Sequence, residues 1–286
     1  MDATEETKGL RWNICVDGSK ICFEAFRTVF DNLRQKNDFT IVSHVYCDKK
    51  TYLSHKFKPS NIKKNYESLM IGEHKSKWEL IFEHIDNEYT TKDHIIKIAE
   101  EYRTDILVLG YHGRKGPKED PTLLGSNVDL IARNPSCPIL IIKREENRKE
   151  KESQGYRFLV CCDGREKSIK ALNTVIGLMD KQADELIVLT AYKVSSKTDQ
   201  LNKDTSETCE EAGVANHRFE LLDQEHGEGY HEAILDYINV DDTPYIDFVA
   251  IANRGVTQHS LGDDRYLGKV SKQVLFQSKA NVLLVP

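Results

Sequence analysis

Three glycines and a serine that follow one apolar run carry the strongest chemical signal in the sequence. Gly110 and Gly113 enclose two residues, and Gly125 with Ser126 follows after a spacer of eleven. Helical spacing of Val128, Leu130, Ile131 and Ala132, ending before Pro135, places Ser126 or Asn127 at a helix start. The first turn of a helix leaves main-chain N–H groups unpaired, and its dipole favours negative charge, so the pattern suits a phosphate. Glycine matters because a Cβ would hold the backbone away from a bound group. Turn punctuation is the other reading of the same glycines.

Other constellations carry less. Neither an H-x-G-H nor an S-G-G-x-D-S signature occurs, and there is no G-x-S-x-G elbow or H-E-x-x-H helix. Gly262 to Ser271 resembles a phosphate loop only at a glance: its glycines stand five residues apart instead of four, and Val270 takes the hydroxyl position. The seven cysteines include no C-x-x-C pair, and Cys15, Cys161 and Cys162 lie in apolar runs, as small buried hydrophobes do. His226 and His231 flank Gly227 and Gly229 without a second ligand pair, which reads as a solvated loop and not a metal site.

The elements that must position the glycines occur twice. Residues 13–45 and 158–191 each open with an apolar run closing on Asp-Gly, continue with helical spacing and end in a β-branched run. Asp17 aligns with Asp163 and Val45 with Ala191 at one offset, 146. Further on, Trp78–Ile85, Asp105–Gly110 and Pro138–Lys143 read as strands and Lys92–Tyr102 as a helix. Arg218–Leu222, Tyr230–Ile238, Ile246–Ala252 and Val282–Val285 repeat the series. Continuous apolar strands alternating with helices imply an α/β fold of two doubly wound parallel five-stranded sheets. The domains are expected at 1–143 and 156–286, joined by a charged linker at 144–155. Ligands of such sheets sit beyond the carboxyl ends of the strands, here at Asp17 and Gly110.

The G-x2-G…G-S spacing, the V-D-G-S closing the first strand and the H-V closing the second resemble the universal stress protein family, twice over nearly the whole chain. The resemblance implies ATP binding by the first copy. It places Asp17 near the ribose and phosphates, offers the Val45 backbone to adenine, admits the ribose and phosphate backbone at Gly110 and Gly113, and cradles the phosphates on Gly125, Ser126 and Asn127. The family's usual spacer of nine residues is eleven here, which costs well under about 1 kcal/mol in closure entropy. Within it, Arg114, Lys115 and Lys118 are candidate anion groups, and Glu119 and Asp120 candidate neighbours of a magnesium ion. The resemblance also implies that the final strands, 138–143 and 282–285, pair the two halves within the chain.

In the second copy Ala252 replaces the first glycine, Gly255 and Gly268 remain, and Lys269 stands at the Ser126 position. With Asp163 and Ala191 these form a degenerate site. A left-handed backbone at Ala252 would cost about 1–2 kcal/mol, and loss of the hydroxyl about 1.5–3 more, together a hundredfold or greater loss of affinity.

The chain has 286 residues, with 39% hydrophobic and 30% charged residues and a net charge of -6, an ordinary globular profile without a basic field for nucleic acid. No run approaches the roughly 18 apolar residues of a membrane span, and MDATEETKG is unlike a secretory leader. A cytoplasmic nucleotide-binding sensor or assembly protein without dedicated catalysis, at most hydrolysing ATP slowly, is the leading expectation. A structural or adaptor component of a larger assembly is the alternative. Asp48–Lys77, rich in Lys, His and Tyr, is the longest irregular stretch, either a plain helix-loop connection or a candidate binding surface.

Overall fold

A computed structural model describes residues 9–48, 53–72, 77–85, 89–114, 120, 123–151, 155–191, 195–222, 229–239, 245–253 and 267–286. In the first half, strands β1 (Arg11–Cys15), β2 (Phe39–Tyr46), β3 (Lys77–His84), β4 (Ile106–Gly110) and β5 (Ile139–Ile142) alternate with helices α1 (Lys20–Arg27), α2 (Pro59–Ile71), α3 (Thr91–Glu101) and α4 (Ser126–Arg133). The second half repeats the series. Its strands are β6 (Arg157–Cys161), β7 (Glu185–Ala191), β8 (Asn216–Leu222), β9 (Phe248–Ala252) and β10 (Asn281–Val285). Its helices are α5 (Glu166–Leu178), α6 (Ser196–Glu211), α7 (Tyr230–Asn239) and α8 (Lys269–Gln277). The stretch around residues 59–71, which read as irregular, is a helix: Pro59 opens it, and Ile62, Tyr66 and Met70 form a buried stripe at helical spacing.

The two five-stranded sheets merge into one ten-stranded sheet ordered β3-β2-β1-β4-β5-β10-β9-β6-β7-β8. Pairings within each half are parallel, and β5 meets β10 antiparallel, with Val282 opposite Ile141, Leu283 opposite Leu140 and Leu284 opposite Ile139. Those apolar strands, the edges of the two five-stranded sheets, pair the halves as expected and cover each other at the centre, where Ile139–Ile142 and Val282–Val285 are buried. An antiparallel pair is related by an axis normal to the sheet, so each helix keeps its face in the second half. Phe23 and Phe26 of α1 meet Tyr66 of α2 on one face, while α3 lies against α4, and α7 against α8, on the other.

The repeat extends to single hydrogen bonds. Leu10 N–H donates to Asp38 Oδ1 and Tyr156 N–H to Asp184 Oδ1, both at 2.8 Å. Arg11 N–H donates to Asp105 Oδ2 and Arg157 N–H to Asp247 Oδ2, again at 2.8 Å. A buried carboxylate thus organises the amino end of each sheet, because ionised oxygens accept several donors at once.

Residues 144–151, whose composition reads as a free linker, are packed across both halves. Glu146 N–H donates to Thr28 Oγ1 (3.1 Å) and Arg148 N–H to Asn32 Oδ1 (2.9 Å) in the first half. Toward the second, Arg144 donates to Ile246 O (2.7 Å) and Lys279 O (3.1 Å) and lies 3.7 Å over the Tyr245 ring. Arg148 forms a bidentate pair with Asp184 and lies 4.3 Å over the Tyr156 ring.

Beside this strap, Lys143 is buried and donates to Ser278 O at 2.6 Å and Phe276 O at 3.4 Å, at the end of α8. Burial, assisted by Arg144, lowers its ammonium from 10.5 to about 7. The unfolded chain therefore holds the Lys143 proton to a higher pH than the folded chain does. This group's contribution to stability rises as pH climbs between about 7 and 10.5. Urea unfolding of Lys143→Met and the unsubstituted protein, from about pH 6 to about pH 9, should show a flatter rise in the variant. Parallel profiles would contradict the assignment.

Candidate functional site

β1 lies between β2 and β4, so the chain leaves β1 and β4 toward opposite faces and a crevice opens beyond their carboxyl ends. Asp17 stands at its base. Its Oδ1 accepts the Ser19 N–H at 2.9 Å, and its Oδ2 accepts the Arg114 N–H at 2.8 Å. Burial alone would raise the Asp17 carboxyl, but the Ser19 hydroxyl and the main-chain donors outweigh it and hold the group below the ordinary carboxylate range. Asp17 is therefore ionised and ties the turn after β4 to the turn after β1. Each oxygen accepts a main-chain donor, an arrangement that fixes backbone and does not resemble a poised base.

The glycines have different reasons. At Gly113 a Cβ would stand 2.9 Å from Asp17 Oδ2, so any side chain there displaces the carboxylate. At Gly125 it would stand 3.1 Å from His112 Cα, and the Gly125 N–H donates to Tyr111 O at 2.8 Å, folding the spacer back onto the turn. Gly125 is also the N-cap of α4, with no side-chain cap. Ser126 and Asn127 follow, exposed, in the first turn where helix geometry leaves N–H groups unpaired. Gly110 differs: a Cβ there would meet Ile21 at 3.1 Å, so this glycine admits α1 to the sheet.

Val45 lies at the other wall. In a parallel ladder a residue's N–H and C=O point to one neighbouring strand, and the direction alternates along the chain. Ser43 O accepts from Val16 N on the β1 side (2.8 Å), and Tyr46 O accepts from Ile85 N on the β3 side (2.7 Å). Val45 thus turns its N–H and C=O toward β1, whose ladder with β2 ends at Cys15 and Ser43. A peptide edge faces the crevice.

Three residues to which the sequence reading gave no role take part. His44 Nδ1 donates to Val16 O at 2.6 Å and fixes the end of β1; Thr190 Oγ1 makes the same contact to Cys162 O in the second half. His112 Nδ1 donates to Gly113 O at 2.8 Å. Phe57 accepts from Arg114 Nη1 at 3.3 Å through its carbonyl and lies 5.5 Å beneath the guanidinium. The repeated position of His44 and Thr190 was the available signal for the first; nothing local marks Phe57. Lys115, Lys118 and Glu119 lie outside the described residues.

In the second half Asp163 Oδ1 accepts the Arg165 N–H (3.1 Å) and the Ser168 hydroxyl (2.9 Å). Cys162 N–H donates to Leu189 O at 2.9 Å, and so the Ala191 peptide edge, like that of Val45, faces beyond the first strand. Gly268 caps α8, and Lys269 is its first residue. Gly255 and Gly262 lie outside the described residues. The expected left-handed strain at Ala252 is absent, since Ala252 is not among the residues with positive φ. Where Ala252 replaces the glycine, Lys167 stands at the position of Ile21, and its side chain reaches Asn253 O at 3.2 Å. The second crevice differs in side chains, therefore, and not in backbone strain.

Among the described residues no group of three His, Cys, Asp or Glu could hold a metal, and no helix is long and apolar enough to cross a membrane. All seven cysteines are free thiols, and burial pushes Cys15 and Cys161 up to about 12.

Strand order, crevice and glycine turn define the class: a doubly wound α/β protein with a glycine turn across the crevice from the Val45 peptide edge. Residues 13–143 match the universal stress protein family. A universal stress protein of Methanocaldococcus jannaschii is 36% identical over 55 residues, which are 19% of this chain and span only 33% of that relative. A solved universal stress protein from Archaeoglobus fulgidus is 20% identical, covers 96% of this chain and 97% of its own, and superposes with a TM-score of 0.66. One from Arabidopsis thaliana, solved with AMP bound, is 19% identical over 50% of this chain and 97% of its own, with a TM-score of 0.34.

Proposed function

We propose that the first half binds ATP and that the chain is a nucleotide-dependent sensor or assembly protein without dedicated catalysis. The observation that carries this is the pairing, across one crevice, of the Val45 peptide edge with the glycine-framed first turn of α4. Val45 offers one donor and one acceptor, the complement of the adenine edge. The N–H groups of Ser126 and Asn127 take the phosphates, helped by the Ser126 hydroxyl, with Gly113 and Gly125 keeping the turn close. Asp17 orders both loops beside the ribose. Asp120, in the spacer before that turn, is the candidate for a magnesium ion that accompanies the phosphates.

The second crevice, with Asp163, Ala191, Ala252, Gly255, Gly268 and Lys269, is inferred not to hold ATP, because Lys269 removes the hydroxyl and Lys167 changes the floor. An altered crevice that keeps its scaffold also supports the adaptor reading. Free thiols throughout fit a reducing compartment, the cytoplasm.

Acid extraction of the full chain, purified without added nucleotide, should release adenine nucleotide in less than equimolar to equimolar amount. Protein that carries none and takes up none on dialysis against ATP would overturn this reading in favour of the adaptor.

A further inference from the structure

The ten-stranded sheet ends in β3 at one side and β8 at the other, and the helices beside those ends carry opposite charge. Along residues 53–72, which contain α2, Lys56, Lys58, Lys63 and Lys64 stand against Glu67 alone. Along 195–212, which contain α6, Asp199, Asp204, Glu207, Glu210 and Glu211 stand against Lys197 and Lys203. All these side chains are exposed. α2 and α6 are counterparts in the repeat and lie on the same face, so a change of charge, with the scaffold kept, separates the two ends of the molecule.

Little of this charge is paired within the molecule. Among the described residues none of the four lysines makes an ion pair; Lys56 and Lys63 lie instead over the Phe57 and Phe82 rings, at 4.8 and 5.9 Å. Among the described residues the one ion pair on α6 is Lys203 with Glu207 at 3.8 Å. Asp204, Glu207 and Glu211 recur at helical spacing and form one acidic stripe. α2 also exposes Leu69 (43%) and Ile71 (57%). The outer strands themselves are poor docking edges: β3 carries Lys77, Glu79 and Glu83 and β8 carries Arg218 and Glu220, charges that oppose strand addition.

We propose that the α2 end of one molecule docks on the α6 end of a second copy, giving head-to-tail association of the chain. Complementary ends on the same face of an elongated sheet meet by translation along the sheet, a contact that repeats without closing. Charge complementarity supplies the orientation and opposes like ends meeting. With a net charge of -6 on each copy, the contact depends on local attraction and is sensitive to salt.

Sedimentation velocity of the full chain tests this, with circular dichroism confirming that each variant is folded. Association should appear at about 0.01 M ionic strength and vanish at about 1 M, where the screening length falls from about 30 Å to 3 Å. Lys63→Glu with Lys64→Glu, and separately Glu207→Lys with Glu211→Lys, should each weaken it at least about tenfold, since like charges then face each other. An equimolar mixture of the two variants should associate again, because the unreversed α6 end of the first then meets the unreversed α2 end of the second, and the two reversed ends, now of opposite sign, also match. An unsubstituted chain monomeric at low salt overturns the proposal, as does association that the variants leave unchanged or a mixture that stays dissociated. Binding of single-stranded RNA to α2 by a chain that never self-associates would also overturn it and assign the surface to nucleic acid.

Discussion

Replacing Asp184 with alanine should lower the free energy of unfolding by about 3–5 kcal/mol, the cost of breaking a buried ion pair from one side. Asp184 is fully buried and accepts the N–H groups of Tyr156 at 2.8 Å and Asp180 at 2.7 Å as well as the Arg148 guanidinium. Alanine leaves two main-chain donors and a partly buried cation unpaired. The counterpart Asp38 accepts Leu10 N–H, Gln35 N–H and the Trp12 indole, all at 2.8 Å. Phe158 occupies the Trp12 position in the second half and has no donor to offer, so the strap's Arg148 supplies it. Urea unfolding reads the effect as a lowered midpoint. An unchanged midpoint would mean that the strap contributes no stability.

Gly113→Val should weaken ATP binding at least about a hundredfold, or about 2.7 kcal/mol. Its Cβ would stand 2.9 Å from Asp17 Oδ2, and the added methyls force the carboxylate and the Arg114 peptide apart. The turn that presents Gly125 and Ser126 then loses its tie to the base of the crevice. Gly113 is only partly buried, so overall stability should change far less than affinity. A variant as stable as the unsubstituted protein that retains full affinity would detach Gly113 and Asp17 from the nucleotide.

The repeat, the ten strands and the fold class were legible because parallel strands buried on both faces leave continuous apolar runs. Asp17 and Asp163, fixed in sequence by Asp-Gly turns with Gly18 and Gly164 at positive φ, marked the register of both copies. The strap was not legible: mixed charges at 144–151 read as solvated, whereas Arg144 and Arg148 find partners more than thirty residues away. Nor was the reason for Gly110. Its spacing pointed to a ligand, yet the nearest obstacle is Ile21, and where Ala252 replaces the glycine Lys167 replaces Ile21. Such paired changes become visible only when α1 and α5 are seen against the sheet.

Isothermal titration of the intact chain with ATP addresses the central claim most directly. One site per chain, abolished by Gly113→Val, is the predicted result. Two equal sites, or none, would contradict it.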